Sequence, residues 1–98
     1  MELRKESVAK ERVKEVSQRL RAEIKAGGTG VMILSREIPD SGLWDVIGIP
    51  LPKEKQVPPE FAKQLSALVK EGFRPASASD QSTLHEFRAG IAEAEIEF

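Results

Sequence analysis

The sequence predicts an α+β domain of two layers, in which an antiparallel sheet carries a long N-terminal helix and a second helix on one face. This prediction depends on an apolar stripe at helical spacing near the N-terminus, on two apolar runs separated by turn residues, and on alternating apolar and acidic residues at the C-terminus. A chain of 98 residues has the common size of one domain, so residues 1–98 are expected to share one core.

The N-terminal stretch predicts one long helix over residues 3–26. Its apolar side chains recur every three or four residues and would share one helical face: Ala9, Val13, Val16, Leu20 and Ile24. Gly27 and Gly28 follow at once, and glycine commonly closes a helix in the left-handed conformation. Such a helix would be about 36 Å long. Because a domain of this size has a radius of gyration of about 13 Å, one end is expected to project or to fray.

The middle of the chain predicts a β-hairpin followed by a helix. Val31–Ile38 and Leu43–Pro50 are rich in apolar residues, and the four residues between them supply the proline, aspartate and glycine of a tight turn. Residues 58–71 predict the second helix, which starts with proline and an acid in its first turn and ends before Gly72. Trp44 lies on the returning strand, where we expect it to anchor the core.

The last quarter of the chain predicts two further strands around an ambiguous segment. Residues 73–78 predict a short strand that its proline would confine to an edge of the sheet. Residues 80–90 fit either a short capped helix that stops at a glycine or the first arm of a hairpin, and we favour the hairpin or a loop. Residues 91–98 predict a half-buried strand, because apolar residues alternate with glutamates.

Composition excludes several classes of protein. There are 15 basic and 16 acidic residues, a formal net charge of −1, which excludes a strongly basic nucleic-acid binder. The lack of cysteine excludes disulfides, thiol nucleophiles and thiolate metal sites. No apolar run suits a membrane span and the charged N-terminus is unlike a signal peptide, so we expect a cytoplasmic protein without membrane contact. The absence of asparagine and cysteine beside abundant lysine, glutamate and arginine fits a thermophilic source.

No pattern in the sequence predicts catalysis. The glycine-rich residues 27–30 follow a helix instead of preceding one, so they are expected to form a turn and not a phosphate loop. His85 is the only histidine, and no nucleophile elbow accompanies it. Glu93, Glu95 and Glu97 would share one face of the predicted last strand, where a solvated acidic strip is the expected role and a carboxylate site for Mg²⁺ or Mn²⁺ is the alternative.

The charges are segregated along the chain. Residues 1–26 hold eight basic and five acidic side chains, a net charge of +3, whereas residues 75–98 hold one basic and five acidic side chains, a net charge of −4. On a helical wheel, basic residues flank the apolar stripe on both sides. One flank consists of Lys5, Arg12 and Arg19, and the other consists of Lys10, Lys14, Arg21 and Lys25. Glu11 and Glu15 take the outer face.

We therefore expect a small non-catalytic interaction module or accessory protein that binds another protein and forms a homodimer. Its partner-binding residues would be the apolar stripe and its basic neighbours, namely Arg12, Val13, Val16, Arg19, Leu20 and Ile24. The first alternative is a nucleic-acid-binding accessory protein that uses the basic N-terminal helix. The second alternative is a carboxylate–metal enzyme. No catalytic, metal-binding or cofactor-binding residue is assigned.

Overall fold

Four β-strands and three α-helices form the described part of the computed structural model, which comprises residues 3–52 and 58–93. In chain order they are β1 (Arg4–Ala9), α1 (Val13–Ala26), β2 (Val31–Ile38), β3 (Leu43–Pro50), α2 (Pro59–Lys70), β4 (Arg74–Pro75) and α3 (Ala78–Glu93). A 3₁₀ turn, Lys10–Arg12, joins β1 to α1. The strands form one antiparallel sheet in the order β1–β3–β2–β4. The α+β class and the antiparallel sheet are therefore confirmed.

The hairpin, the second helix and the edge strand agree with the sequence prediction. β2 and β3 pair along their whole length at the centre of the sheet, and the turn between them places Asp40 and Gly42 at φ angles of 60° and 71°. α2 ends shortly before Gly72, whose φ of 101° suits glycine because it has no Cβ. β4 pairs with β2 at the edge of the sheet.

The helices α1 and α2 cover opposite faces of the sheet. Successive side chains of a strand point to opposite faces, and four consecutive residues of β2 are buried. α1 packs on the face that carries Val31 and Ile33, whereas α2 packs on the face that carries Met32 and Leu34. This differs from the predicted two layers with both helices on one face. The continuous apolar run gives the sheet two faces that must be buried, so a helix is needed on each.

The N-terminal helix is shorter than predicted because its first part is the strand β1. The strand pairs with β3 over six residues, and Val8 is buried opposite Trp44. Ala9 is still extended, with a ψ of 150°, and the 14 residues of α1 then span about 21 Å. Backbone pairing with β3 and the burial of Val8 outweigh a helix propensity of a few tenths of a kcal/mol per residue. The shorter helix fits a domain with a radius of gyration of 13.2 Å.

The ambiguous C-terminal segment is a helix and not a hairpin or a loop. α3 begins after Ser77, whose Oγ accepts a hydrogen bond from the backbone N–H of Asp80 at 3.3 Å. Its Leu84 is buried in the core that α2 also contacts. The cap and this core contact favour the helix. α3 continues to Glu93, so the first three residues of the predicted last strand are helical; residues 94–98 lie outside the described residues.

Candidate functional site

Three apolar residues of the predicted partner-binding set lie inside the chain's own core. Val16, Leu20 and Ile24 are buried between α1 and the sheet. Val13 is partly buried at the edge of the same cluster. Because Val16, Leu20 and Ile24 pack inside the chain's own core, they present no surface to a partner. The partner-binding prediction is left with Val13 and the two arginines, Arg12 and Arg19.

The flank of α1 that contains these arginines is ion-paired with acids of the same chain. The pairs are Arg4–Glu23 at 2.8 Å, Arg12–Glu15 at 3.6 Å, Arg19–Glu23 at 3.6 Å, and Arg19–Glu6. The hydrogen bond to Glu6 raises the pKa of Arg19. Exposed pairs of this kind contribute little to stability, but they compensate the positive charge of this flank.

The other flank of α1 borders an open groove with a volume of about 760 Å³. The helix and the 3₁₀ turn form one wall, β2 and β3 form the floor, and residues 75–79 form the opposite wall. The basic lining residues are Lys10, Lys14, Arg21 and Lys25. The uncharged polar ones are Ser17, Gln18, Ser35, Ser77 and Ser79. The apolar ones are Val13, Trp44, Pro75 and Ala76.

The groove carries uncompensated positive charge. Within the described residues, Lys10, Lys14 and Lys25 form no ion pair, and no acidic side chain lines the groove. The fourth cation, Arg21, donates a hydrogen bond to Asp80 at 2.7 Å. Three free ammonium groups on one wall make the groove attractive to an anion, and the field is stronger there than the net charge of the chain indicates.

Asp80 joins the three elements around the groove. Its side chain is 1% exposed. One carboxylate oxygen accepts the backbone N–H of Ile33 on β2 at 2.9 Å, and the other accepts Arg21 Nη2 of α1 and the Ser77 hydroxyl, each at 2.7 Å. Asp80 also lies in the first turn of α3, where its own backbone N–H donates to Ser77 Oγ. This carboxylate therefore fixes the wall formed by residues 75–79 relative to the sheet and to α1.

Trp44 supplies the aromatic surface of the groove. It lies on β3, on the same face of the sheet as α1, with Val8 and Glu37 as its cross-strand neighbours. Trp44 is only half-buried and lines the groove, so it is not the core anchor that the sequence predicts. Glu37 is exposed beside it but does not line the groove. An aromatic ring on the floor and cations on the wall form a surface for a planar, negatively charged ligand.

A second polar cluster lies on the opposite face of the sheet and is centred on Asp45; within the described residues, the buried Nε of Arg36 is the one polar side-chain atom of this cluster without a hydrogen-bond partner. Asp45, almost completely buried, accepts hydrogen bonds from Ser7 Oγ at 2.6 Å and Arg36 Nη2 at 3.0 Å, and Lys5 Nζ lies 3.7 Å away. Burial acts to raise the pKa of Asp45, but the hydrogen bonds from Ser7 and Arg36 and the charges of Lys5 and Arg36 lower it overall. The Arg36 guanidinium also stacks 4.6 Å from the ring centre of Phe73. This network stabilises the fold and is distinct from the groove.

The residues singled out for catalysis or metal binding do not form a constellation. His85 is exposed on α3. In the part of the chain that the structure describes, no group of three or more histidine, cysteine, aspartate or glutamate side chains is arranged to hold a metal ion. Glu93 belongs to α3, while Glu95 and Glu97 lie outside the described residues.

None of the helices formed by residues 3–52 and 58–93 has the length and apolar character needed to span a membrane.

Comparison with known proteins adds no relative, since no protein-family model, no curated protein and no solved structure matches the chain. Sequence reasoning recognised the lysine-rich flank but assigned the site to the opposite one. The missed signal was the lack of any acid on the flank formed by Lys10, Lys14, Arg21 and Lys25. No local signal relates Trp44 or Ser77 to that flank, because the fold alone brings them together.

Proposed function

We propose that this domain is a non-catalytic nucleic-acid-binding module, and that the groove beside α1 is its binding surface. The observation that carries the proposal is the difference between the two flanks of α1. The arginine flank is compensated by Glu6, Glu15 and Glu23, whereas the groove flank keeps three lysines free of carboxylates within the described residues. Proteins contact the phosphate backbone of nucleic acids mainly through lysine and arginine side chains that are free of other partners.

The spacing of the free charges favours a polymer over a small anion. Lys14 and Lys25 are eleven residues apart on one helix, a rise of about 17 Å. One phosphate cannot contact both ends of that row, but successive phosphates of a strand can. The negative charge elsewhere in the chain does not cancel this field at a distance, because exposed charges are screened beyond about 10 Å at 0.1 M salt.

The proposal differs from the homodimer and protein-partner expectation in what the surface offers. The apolar stripe that would have paired with a partner is buried against the sheet. A nucleic acid needs phosphate contacts and a stacking surface, both of which the groove contains, and it needs no large apolar patch.

The test measures binding of a fluorescein-labelled oligothymidine by fluorescence anisotropy at several salt concentrations. With three phosphate contacts, log K should fall with log salt at a slope of about −2.1, so binding weakens about 18-fold between 50 and 200 mM salt. The double variant Lys14→Ala/Lys25→Ala should reduce the slope to about −0.7 and weaken binding at 50 mM salt by about 60-fold.

The matched control is Lys63→Ala/Lys70→Ala on α2, which removes two exposed lysines from a helix on the other face of the sheet. It changes the net charge equally and should leave binding within about twofold, because these lysines are remote from the groove and screened. An equal loss in both double variants, or no binding by the wild type at 50 mM salt, contradicts the proposal. So does displacement of the oligonucleotide by an equal charge concentration of polyglutamate, which would indicate an acidic protein partner.

A further inference from the structure

We infer that the groove takes single-stranded nucleic acid, with one base stacked on Trp44, and discriminates against the duplex. The inference rests on the proposed function and adds the strand class and the contact that selects it. Trp44 lies on the floor of the groove, on β3, while the lysines lie on the wall that the 3₁₀ turn and α1 form. A ligand that uses both surfaces must present its phosphates to the wall and a base face to the floor.

Trp44 is not the only apolar surface of the groove. Val13 from α1, and Pro75 and Ala76 on the far wall, also line it. Pro75 is held in β4, and the Ala76 N–H donates to the carbonyl of Ile33 at 3.0 Å, so this wall is fixed to the sheet. An aromatic ring in a partly apolar groove accommodates any nucleobase, since every base has a flat apolar face.

A duplex cannot use the floor of the groove. Its bases are stacked and paired inside the helix, so no base face is available to Trp44 while the phosphates contact the lysines. A duplex along α1 would contact the lysines alone and leave Trp44 uncovered. The groove volume of about 760 Å³ is also that of a site for one small organic ligand, which fits a short stretch of an unstacked strand.

The wild-type protein contains its own probe of this contact, because Trp44 is the only tryptophan and there is no tyrosine. Oligothymidine, oligouridine and a mixed-sequence DNA duplex are titrated into the protein at low salt while the intrinsic fluorescence is recorded, and the anisotropy of the labelled oligonucleotides is measured in parallel. We expect a single strand to quench Trp44 emission with the same midpoint as its anisotropy curve. The duplex should bind at least about tenfold more weakly and leave the emission unchanged.

Two variants separate stacking from charge. Trp44→Ala should weaken single-strand binding about 5- to 150-fold, with an unchanged salt slope because no charge is lost, and should leave duplex binding unaltered. Trp44→Phe keeps a stacking ring and should retain a larger part of the affinity. Circular dichroism verifies that each variant is folded, and the wild-type emission decides the question if Trp44→Ala does not fold.

The outcomes distinguish this inference from the proposal beneath it. Quenching by the DNA strand, the RNA strand or both supports the inference. Binding that leaves Trp44 emission unchanged, or equal affinity for single strand and duplex, overturns the inference while the nucleic-acid proposal remains supported. Failure of every oligonucleotide to bind at 50 mM salt overturns the proposed function and the inference together.

Discussion

Replacement of Asp80 should lower the stability of the domain and increase the positive charge of the groove. In Asp80→Asn, the amide oxygen can still accept the Ile33 N–H, but an NH₂ group replaces the oxygen that accepts from Arg21 and Ser77. In Asp80→Ala, the buried N–H of Ile33 loses its partner as well. The two variants therefore remove different parts of one network, and the difference between them isolates the contact with β2.

The magnitudes follow from the burial of each partner. A hydrogen bond to a charged group contributes about 1.5–3 kcal/mol. Arg21 and Ser77 can turn toward solvent, so we expect Asp80→Asn to lower the free energy of unfolding by about 2 kcal/mol, or Tm by about 10 °C. An orphaned buried N–H costs a further 1–3 kcal/mol, so Asp80→Ala should lose about 4 kcal/mol. The same Asp80→Asn change frees Arg21, which should steepen the salt slope of oligonucleotide binding from about −2.1 to about −2.8.

Urea denaturation followed by circular dichroism gives the stabilities, and anisotropy titrations give the slopes. The control is Glu86→Gln, which makes the same charge change at an exposed position of α3 and should alter stability by less than about 0.5 kcal/mol. The reasoning is refuted if Asp80→Asn is as stable as the wild type, or if Asp80→Ala is no less stable than Asp80→Asn. A steeper slope in Glu86→Gln would show that the gain does not come from Arg21.

Three further substitutions test the rest of the fold. The pKa of Asp45 is lowered in the folded state, so its ionised form stabilises the protein above the ordinary pKa of about 4. The difference in the free energy of unfolding between the wild type and Asp45→Asn should therefore be largest near pH 7 and should shrink as the pH falls through the folded-state pKa. A difference that does not change with pH would contradict this. A Cβ on Gly48 would lie 2.7 Å from Ile24 Cδ1, so Gly48→Ala should lower the free energy of unfolding, measured by urea denaturation, by about 1–3 kcal/mol. In an Ile24→Val background, which lacks this methyl group, the loss should be below about 1 kcal/mol. Gly28 has a φ of 91° and open space around it, so Gly28→Ala should cost about 1 kcal/mol through its backbone alone, and Gly28→Asn, which tolerates this conformation better, should cost less.

The elements that the sequence predicts correctly are those whose signals are local. The β2–β3 hairpin has its turn residues and both apolar strands within one stretch, and Gly72 ends α2 as predicted. β1 could not be predicted in this way, because Val8 is its only fully buried residue and pairing with a distant strand decides its conformation. α3 had a visible signal in Ser77 and Asp80, a serine followed three residues later by an acid. The alternation around residues 84–88 favoured a strand instead, and Leu84 alone gives a weak helical stripe.

The two flanks of α1 show how far charge spacing in a sequence can locate a site. Along one flank the signs alternate at helical spacing, as in Arg12, Glu15, Arg19 and Glu23, and such a row compensates itself. The other flank reads Lys10, Lys14, Gln18, Arg21 and Lys25, with no acid to compensate it. The sequence could thus have selected the free flank, but not the floor and far wall of the groove. Asp80 pairs with Arg21 although the two are 59 residues apart in the sequence. An equally distant acid could have paired with one of the lysines, and the sequence alone does not exclude this. The fold leaves three lysines uncompensated within the described residues, and for that reason a chain with a net charge of −1 can present a basic groove.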